Sequence, residues 1–213
     1  MVSSNAGSIT FTGNKELVVD STYLKGAAGG PTSAGGSLTI LSNATNILTP
    51  LDPTLLVTAS AASLPVPSYI PDPTAIDSPG QTAIGHPSVD AKGNSIAGMG
   101  FVAADQLNNG GFDSLALKGT VSFQGPVDIA IGGSLAVGDS GIILANGPVI
   151  LSAPYVALGQ PYQAPISLGQ PASPFIDLAG VAFVPPVYGS GTLTVSAGSS
   201  GQVGLIDVGN RCV

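Results

Sequence analysis

Charge is scarce in this chain. Asp, Glu, Lys and Arg make up 8% of its 213 residues, against about 25% in typical soluble domains. Only five residues are basic: Lys15, Lys25, Lys92, Lys118 and Arg211. They are scattered, whereas a groove that neutralises phosphates needs clustered Lys and Arg. No nucleic-acid partner is expected, nor electrostatic docking on anionic lipid. The net charge of −7 suits a protein kept in solution by mild negative charge. Tryptophan is absent, and the single cysteine, Cys212, allows no intramolecular disulfide. One cysteine does not decide the redox compartment. Long apolar runs are missing too. The chain is uncharged between Asp139 and Asp177, but Pro148, Pro154, Pro161, Pro165, Pro171 and Pro174 interrupt it. No helix survives that spacing, so no transmembrane segment is expected. The apolar clusters are also far shorter than the roughly 9–11 alternating residues of a membrane-barrel strand. The start, Met1-Val2-Ser3-Ser4-Asn5, has neither the basic nor the apolar region of a signal peptide, and none is expected in this chain.

What the chain does have is glycine, proline and a recurring phrase. Its 30 Gly and 18 Pro, with many serines, approach the composition of disordered linkers. Leu, Ile, Val and Phe nevertheless exceed the roughly 20% that marks disorder, and they fall in short clusters. The phrase reads Gly7-Ser8-Ile9-Thr10-Phe11, Gly36-Ser37-Leu38-Thr39-Ile40, Gly133-Ser134-Leu135-Ala136-Val137 and Gly191-Thr192-Leu193-Thr194-Val195. Each copy is a glycine, a small hydroxyl residue and an apolar-small-apolar unit, which is a very short strand with two side chains pointing inward. Such a strand is stable only when copies stack, so the phrase predicts a solenoid.

Three zones follow. Residues 1–45 carry the first β-helix coils, with units Ile9-Thr10-Phe11, Leu17-Val18-Val19 and Leu38-Thr39-Ile40. Residues 46–110 are Pro- and Gly-rich and read as an irregular insertion with short strands such as Leu55-Leu56-Val57. Within it, Met99 to Leu107 is the best helix candidate, one or two turns long, stopped by Asn108-Asn109-Gly110-Gly111. Residues 111–213 hold further coils. There, Leu115-Ala116-Leu117, Val121-Ser122-Phe123, Val127-Asp128-Ile129, Leu135-Ala136-Val137, Ile142-Ile143-Leu144, Val149-Ile150-Leu151 and Tyr155-Val156-Ala157-Leu158 follow one another between Gly-rich turns. Hairpins in a sandwich are an alternative, although a sandwich favours about 8–12 residues per strand. Three strands with their turns make about 20 residues, one coil of a parallel β-helix. Ser122 and Asp128 are expected on its outside.

Chemistry-bearing motifs are thin. Glycoside hydrolysis needs two carboxylates flanking one bond, and the twelve acids form no tight cluster in sequence. His86, in Ile84-Gly85-His86-Pro87, is alone, whereas a zinc site wants three or four ligands. Gly138-Asp139-Ser140-Gly141 is one imperfect fragment of a calcium-loop repeat. No elbow anchors a Ser-His-Asp set. Tyr155, Tyr162, Phe175, Phe183 and Tyr188 fall in a Pro-rich region and could stack inside a coil or bind glycans. The expectation is therefore a non-enzyme with no catalytic, cofactor-binding or metal residues and no cofactor.

Longer phrases carry a resemblance. Gly110-Gly111-Phe112-Asp113-Ser114-Leu115-Ala116-Leu117-Lys118-Gly119 and Ala153-Pro154-Tyr155-Val156-Ala157-Leu158-Gly159-Gln160 resemble segments of filamentous-haemagglutinin-like exoproteins. Leu193-Thr194-Val195-Ser196-Ala197, followed by Leu205-Ile206-Asp207-Val208-Gly209-Asn210, is similar to their next coil. The likeness covers about 99–210 and is weaker over 1–98. It implies an all-β, right-handed parallel β-helix, and a segment, internal or near the C-terminus, of a large bacterial surface adhesin made by two-partner secretion. The implied partners are an outer-membrane two-partner transporter for the full-length protein and a host-cell or glycan receptor. The implied location is secreted, at the bacterial cell surface. The alternative is a carbohydrate-binding or carbohydrate-active β-helix.

Overall fold

The computed structural model describes residues 3–13, 16–21, 24–30, 32–42, 54–64, 99–139, 142–159, 191–198 and 203–209. These residues are mostly β, and every strand pairing is parallel. Strands β1 (Ser8–Gly13), β2 (Glu16–Val19), β3 (Gly36–Ser42) and β4 (Thr54–Thr58) come first. A single 3-10 turn follows at Ala61–Ser63, then β5 (Met99–Ala103) and the short helix α1 (Ala104–Asn108). The remainder is β6 (Phe112–Lys118), β7 (Thr120–Gln124), β8 (Val127–Ala130), β9 (Ser134–Val137), β10 (Ile143–Asn146), β11 (Pro148–Ala153), β12 (Tyr155–Leu158), β13 (Thr192–Ala197) and β14 (Leu205–Val208). Sheet A runs β1-β3-β6-β9-β12-β14, sheet B runs β2-β5-β4-β7-β10, and sheet C runs β8-β11-β13.

From β6 to β12 the chain steps from sheet A to B to C and returns to A, twice over. Ser114 and Ser134, neighbours in sheet A, are 20 residues apart and share a 2.9 Å hydroxyl–hydroxyl hydrogen bond. Parallel neighbours cannot be joined by a hairpin. A crossover of about this length, itself made of the other two strands, satisfies that constraint without a helix.

The core follows from period two. In sheet A one inward row is Ile9, Leu38, Leu115, Leu135, Val156 and Ile206, and the other is Phe11, Ile40, Leu117, Val137, Leu158 and Val208. Sheet C contributes Val127, Val149 and Leu193, with Ile129, Leu151 and Val195 beside them. Sheet B contributes Leu55, Val121, Val57, Phe123 and Val102, all fully buried. Like side chains stack on like along each row, so the apolar area of each strand is covered by the next one.

Glycine marks the corners where backbones touch. Gly138 has φ +72°, and its N–H donates to Leu117 O at 2.9 Å; Gly159, with φ +74°, does the same to Val137 O. Only glycine takes this left-handed geometry without strain. At another corner a Cβ on Gly147 would lie 2.8–3.0 Å from the backbone of Gly125.

Several expectations need adjustment. Met99–Ala103 is a strand, and helix is confined to Ala104–Asn108. The reason is non-local: β5 is flanked on both sides by β2 and β4, which satisfy its backbone groups as a ladder. The zone 46–110 thus supplies β4 and β5 to the interior of sheet B, while residues 65–98 lie outside the described ones. Ser122 does lie on the outer face, alternating with inward Val121 and Phe123, but it is buried there. Its row neighbours on the outer face of sheet B are Leu56 and Leu144, and its hydroxyl accepts from Gln124 Nε2 at 3.2 Å. Asp128 is exposed as expected. Finally, three copies of the recurring phrase lie in sheet A, but the fourth, at Gly191, lies in sheet C in register with Pro148–Ala153.

Candidate functional site

The aspartates are the residues with the most chemistry to offer, and backbone N–H groups engage three of the six described, Asp105, Asp113 and Asp139. Asp113 is the extra residue of a bulge, where the register of β3 and β6 slips between Gly36/Phe112 and Ser37/Ser114. Its carboxylate accepts from Gly35 N at 2.5 Å. A Cβ on Gly133 would meet Asp113 O at 2.5 Å, so that layer tolerates only glycine. Asp139 accepts from Gly119 N at 2.5 Å and lies 3.6 Å from Lys118 Nζ. Both groups of that ion pair are over 40% exposed, so it adds little stability. Asp207 accepts from the Tyr155 hydroxyl at 3.4 Å on the outer face of sheet A.

Beneath sheet C, α1 takes the position a further strand would hold. Asn108 Nδ2 donates to Asp128 O at 2.8 Å, and Asn108 Oδ1 accepts from Ala130 N at 2.9 Å. One side-chain amide thus reproduces the donor–acceptor pair a parallel neighbour would present to β8. That closes the edge which otherwise invites another strand.

Among the described residues, a concave feature lies beside this helix. A cavity of about 240 Å³ is lined by Asp20, Leu24, Lys25, Asp105, Gln106 and Asn109, among others. Asp105 accepts from Ala61 N with both carboxylate oxygens, at 3.1 and 3.2 Å, and holds the 3-10 turn against α1. Gln106 Nε2 donates to Asp20 Oδ1 at 3.3 Å, while Gln106 Oε1 is buried without a partner. Lys25 Nζ donates to Asn109 O at 2.6 Å. The cavity therefore brings together two carboxylates, an ammonium and one unsatisfied amide oxygen, a set suited to hydrogen-bonding a small polar molecule. It lacks an aromatic platform among its lining residues. Sequence reasoning did not single out this group, because Lys25 and Asn109 are 84 residues apart and Asp20 and Gln106 are 86 apart. The one local signal was Asp105, an acid in the first turn of a helix.

The remaining sequence candidates fall elsewhere. His86, Ser140, Gly141, Tyr162, Phe175, Phe183, Tyr188, Arg211 and Cys212 lie outside the described residues. Among the described residues, no three His, Cys, Asp or Glu side chains gather as metal ligands, and no helix is long and apolar enough to cross a membrane. Comparison of the chain with models of protein families, with curated proteins and with solved structures finds no match.

Proposed function

We propose that this chain is a segment of a right-handed parallel β-helix, and that it serves as a non-catalytic stalk and display scaffold in a secreted bacterial adhesin of the filamentous haemagglutinin type. The observation that carries this reading is sheet A, in which six parallel strands, with one bulge at Asp113, stack the same two inward rows from Ile9 and Phe11 to Ile206 and Val208. Rows of this kind make a stiff rod whose outside is free to vary. The engagement of Asp105, Asp113 and Asp139 in holding backbone N–H groups fits a structural role for the acids. In this reading the full-length protein uses an outer-membrane two-partner transporter, and the host-cell or glycan receptor meets the outer loops.

Two measurements test it. Small-angle scattering should give a rod-like particle, and the amide I band should be that of parallel sheet; a helical far-UV spectrum or a high-frequency antiparallel band overturns the fold. Beads coated with the chain should adhere to host cells above beads coated with an inert protein, and equal adherence removes the adhesive role.

A second reading, a carbohydrate-binding β-helix, draws on the cavity in which Asp20 and Asp105 meet. A glycan-array signal lost in Asp20→Ala supports it. An array with no signal for the parent chain ends it.

A further inference from the structure

Sheet B holds one strand more than sheet A over the same stretch. In sheet A, β3 alone lies between β1 and β6; in sheet B, both β5 and β4 lie between β2 and β7. Without β5, sheet B would run β2-β4-β7-β10, in chain order, as sheet A runs β1-β3-β6-β9. Among the described strands, β5 is the one that stands out of chain order in its sheet. Its side chains set it apart as well. One inward row of sheet B reads Leu17, Gly100, Leu55, Val121 and Ile143, and Gly100 of β5 is its one member without a side chain. The other row reads Val19, Val102, Val57, Phe123 and Ala145. Strands β2 and β4 meet β5 at the same residues, Met99 to Val102. Removing β5 therefore brings Leu17 onto Leu55, Val18 onto Leu56 and Val19 onto Val57 with no change of phase. Leu17 then covers Leu55 directly, and the gap at Gly100 closes. Forty residues separate Thr58 from Met99, far more than the dozen or so that a parallel neighbour needs, so that connection does not hold β5 in place. On its other side β5 runs straight into α1, whose Asn108 bonds the β8 edge at Asp128 O and Ala130 N.

We propose that β5 is a removable strand. Sheet B has two arrangements, one with β5 between β2 and β4, the other with β2 paired directly to β4, and the second draws α1 off the edge of sheet C. The inserted arrangement has a ladder on each side of β5 and the cap on β8. The expelled arrangement keeps one ladder and makes the Leu17 row continuous. Only the neighbours of one strand and its helix change, which is the scale of a local opening below global unfolding. The proposal rests on strand pairing alone and is independent of the adhesin reading.

Oxidative trapping on the full chain, with Cys212→Ser as background, tests it. Val18, Phe101 and Leu56 share one outward row and are each partly exposed. With β5 inserted, Val18 and Leu56 are two strand spacings apart, about 10 Å, too far for a disulfide; with β5 expelled they are neighbours. The pair Val18→Cys with Phe101→Cys should crosslink at once. The pair Val18→Cys with Leu56→Cys should crosslink slowly in buffer and faster in guanidinium below the global transition. It should run several-fold ahead of Val18→Cys with Val57→Cys, because Val57 faces inward. Equal rates for those last two pairs, or no crosslink to position 56, overturn the proposal, since random opening does not distinguish outward from inward positions. The chain crosslinked between positions 18 and 56 should keep a β-type far-UV spectrum and exchange Ala130 N faster than the same chain reduced. Unchanged protection at Ala130 N also overturns the proposal.

Discussion

Replacing Leu135 by alanine tests the central physical claim, that stacked inward rows hold the molecule together. Leu135 sits in β9 with 0% exposure, between Leu115 of β6 and Val156 of β12 in the same row. Truncation removes its transfer free energy and leaves a cavity, for which buried Leu→Ala changes cost about 2–5 kcal/mol. The upper part of that range, about 3–4 kcal/mol, applies here. The neighbours that would have to collapse into the hole are held in ladders on both sides, and sheet strands cannot move toward each other without breaking them. The control lies in the same row: Ile206, 43% exposed and covered on one side only, should cost about 1 kcal/mol when truncated, in proportion to the apolar area it loses from contact. Guanidinium denaturation followed by far-UV circular dichroism reads both values, the midpoint carrying the change while the slope stays fixed. A Leu135→Ala loss below about 1 kcal/mol, the ordinary level for a point substitution, refutes the argument. So does an Ile206→Ala loss equal to that of Leu135→Ala.

Three further outcomes are expected. Asn108→Ala should cost about 1–2 kcal/mol, from two lost hydrogen bonds to the β8 edge, and hydrogen exchange at Ala130 N should speed up; unchanged exchange contradicts the capping role. Gly138→Ala should destabilise by roughly 1–3 kcal/mol, since φ is +72° and the new Cβ would sit 2.6 Å from Ile143 Cγ1, a shift visible in thermal unfolding. Lys118→Ala should change stability by less than about 0.5 kcal/mol, because its partner Asp139 is exposed and is held independently by Gly119 N; a loss above 1 kcal/mol on the same scale would show that the surface ion pair matters.

Strand positions were legible because they depend on period two alone. Units such as Leu38-Thr39-Ile40 and Val149-Ile150-Leu151 place two apolar side chains on one face whatever their surroundings. Sheet membership was not legible. Gly191-Thr192-Leu193-Thr194-Val195 repeats the phrase of β1 and β3 yet belongs to sheet C, because an apolar-small-apolar unit carries no mark of which wall it will join. Met99–Leu107 read as helix because its apolar spacing is ambiguous, and it was decided by β2 and β4, far away in sequence. That Ser122 is outward was legible from period two; that it is also buried was not, because its row neighbours Leu56 and Leu144 come from distant strands. The cavity at Asp20 and Asp105 was invisible for the same reason: its walls come from segments that meet only after the sheets have formed.

The strand order β2-β5-β4 in sheet B has a temporal consequence. β4 is made before β5, yet β5 lies between it and β2. A chain that emerges from its N-terminus cannot complete sheet B in sequence order. Leu55 and Val57 of β4 must wait for Met99–Ala103 to arrive before they gain their final neighbour on that side. Strands β1 and β3 can align early in sheet A, but the adjoining wall closes only after the forty residues between Thr58 and Met99 have been spanned, and loop closure of that kind slows folding. Beyond that point the chain can add strands in the order they appear, each on a template already formed. The molecule is thus built in two regimes, a slow start that depends on a distant strand and a fast extension that depends only on the strand before.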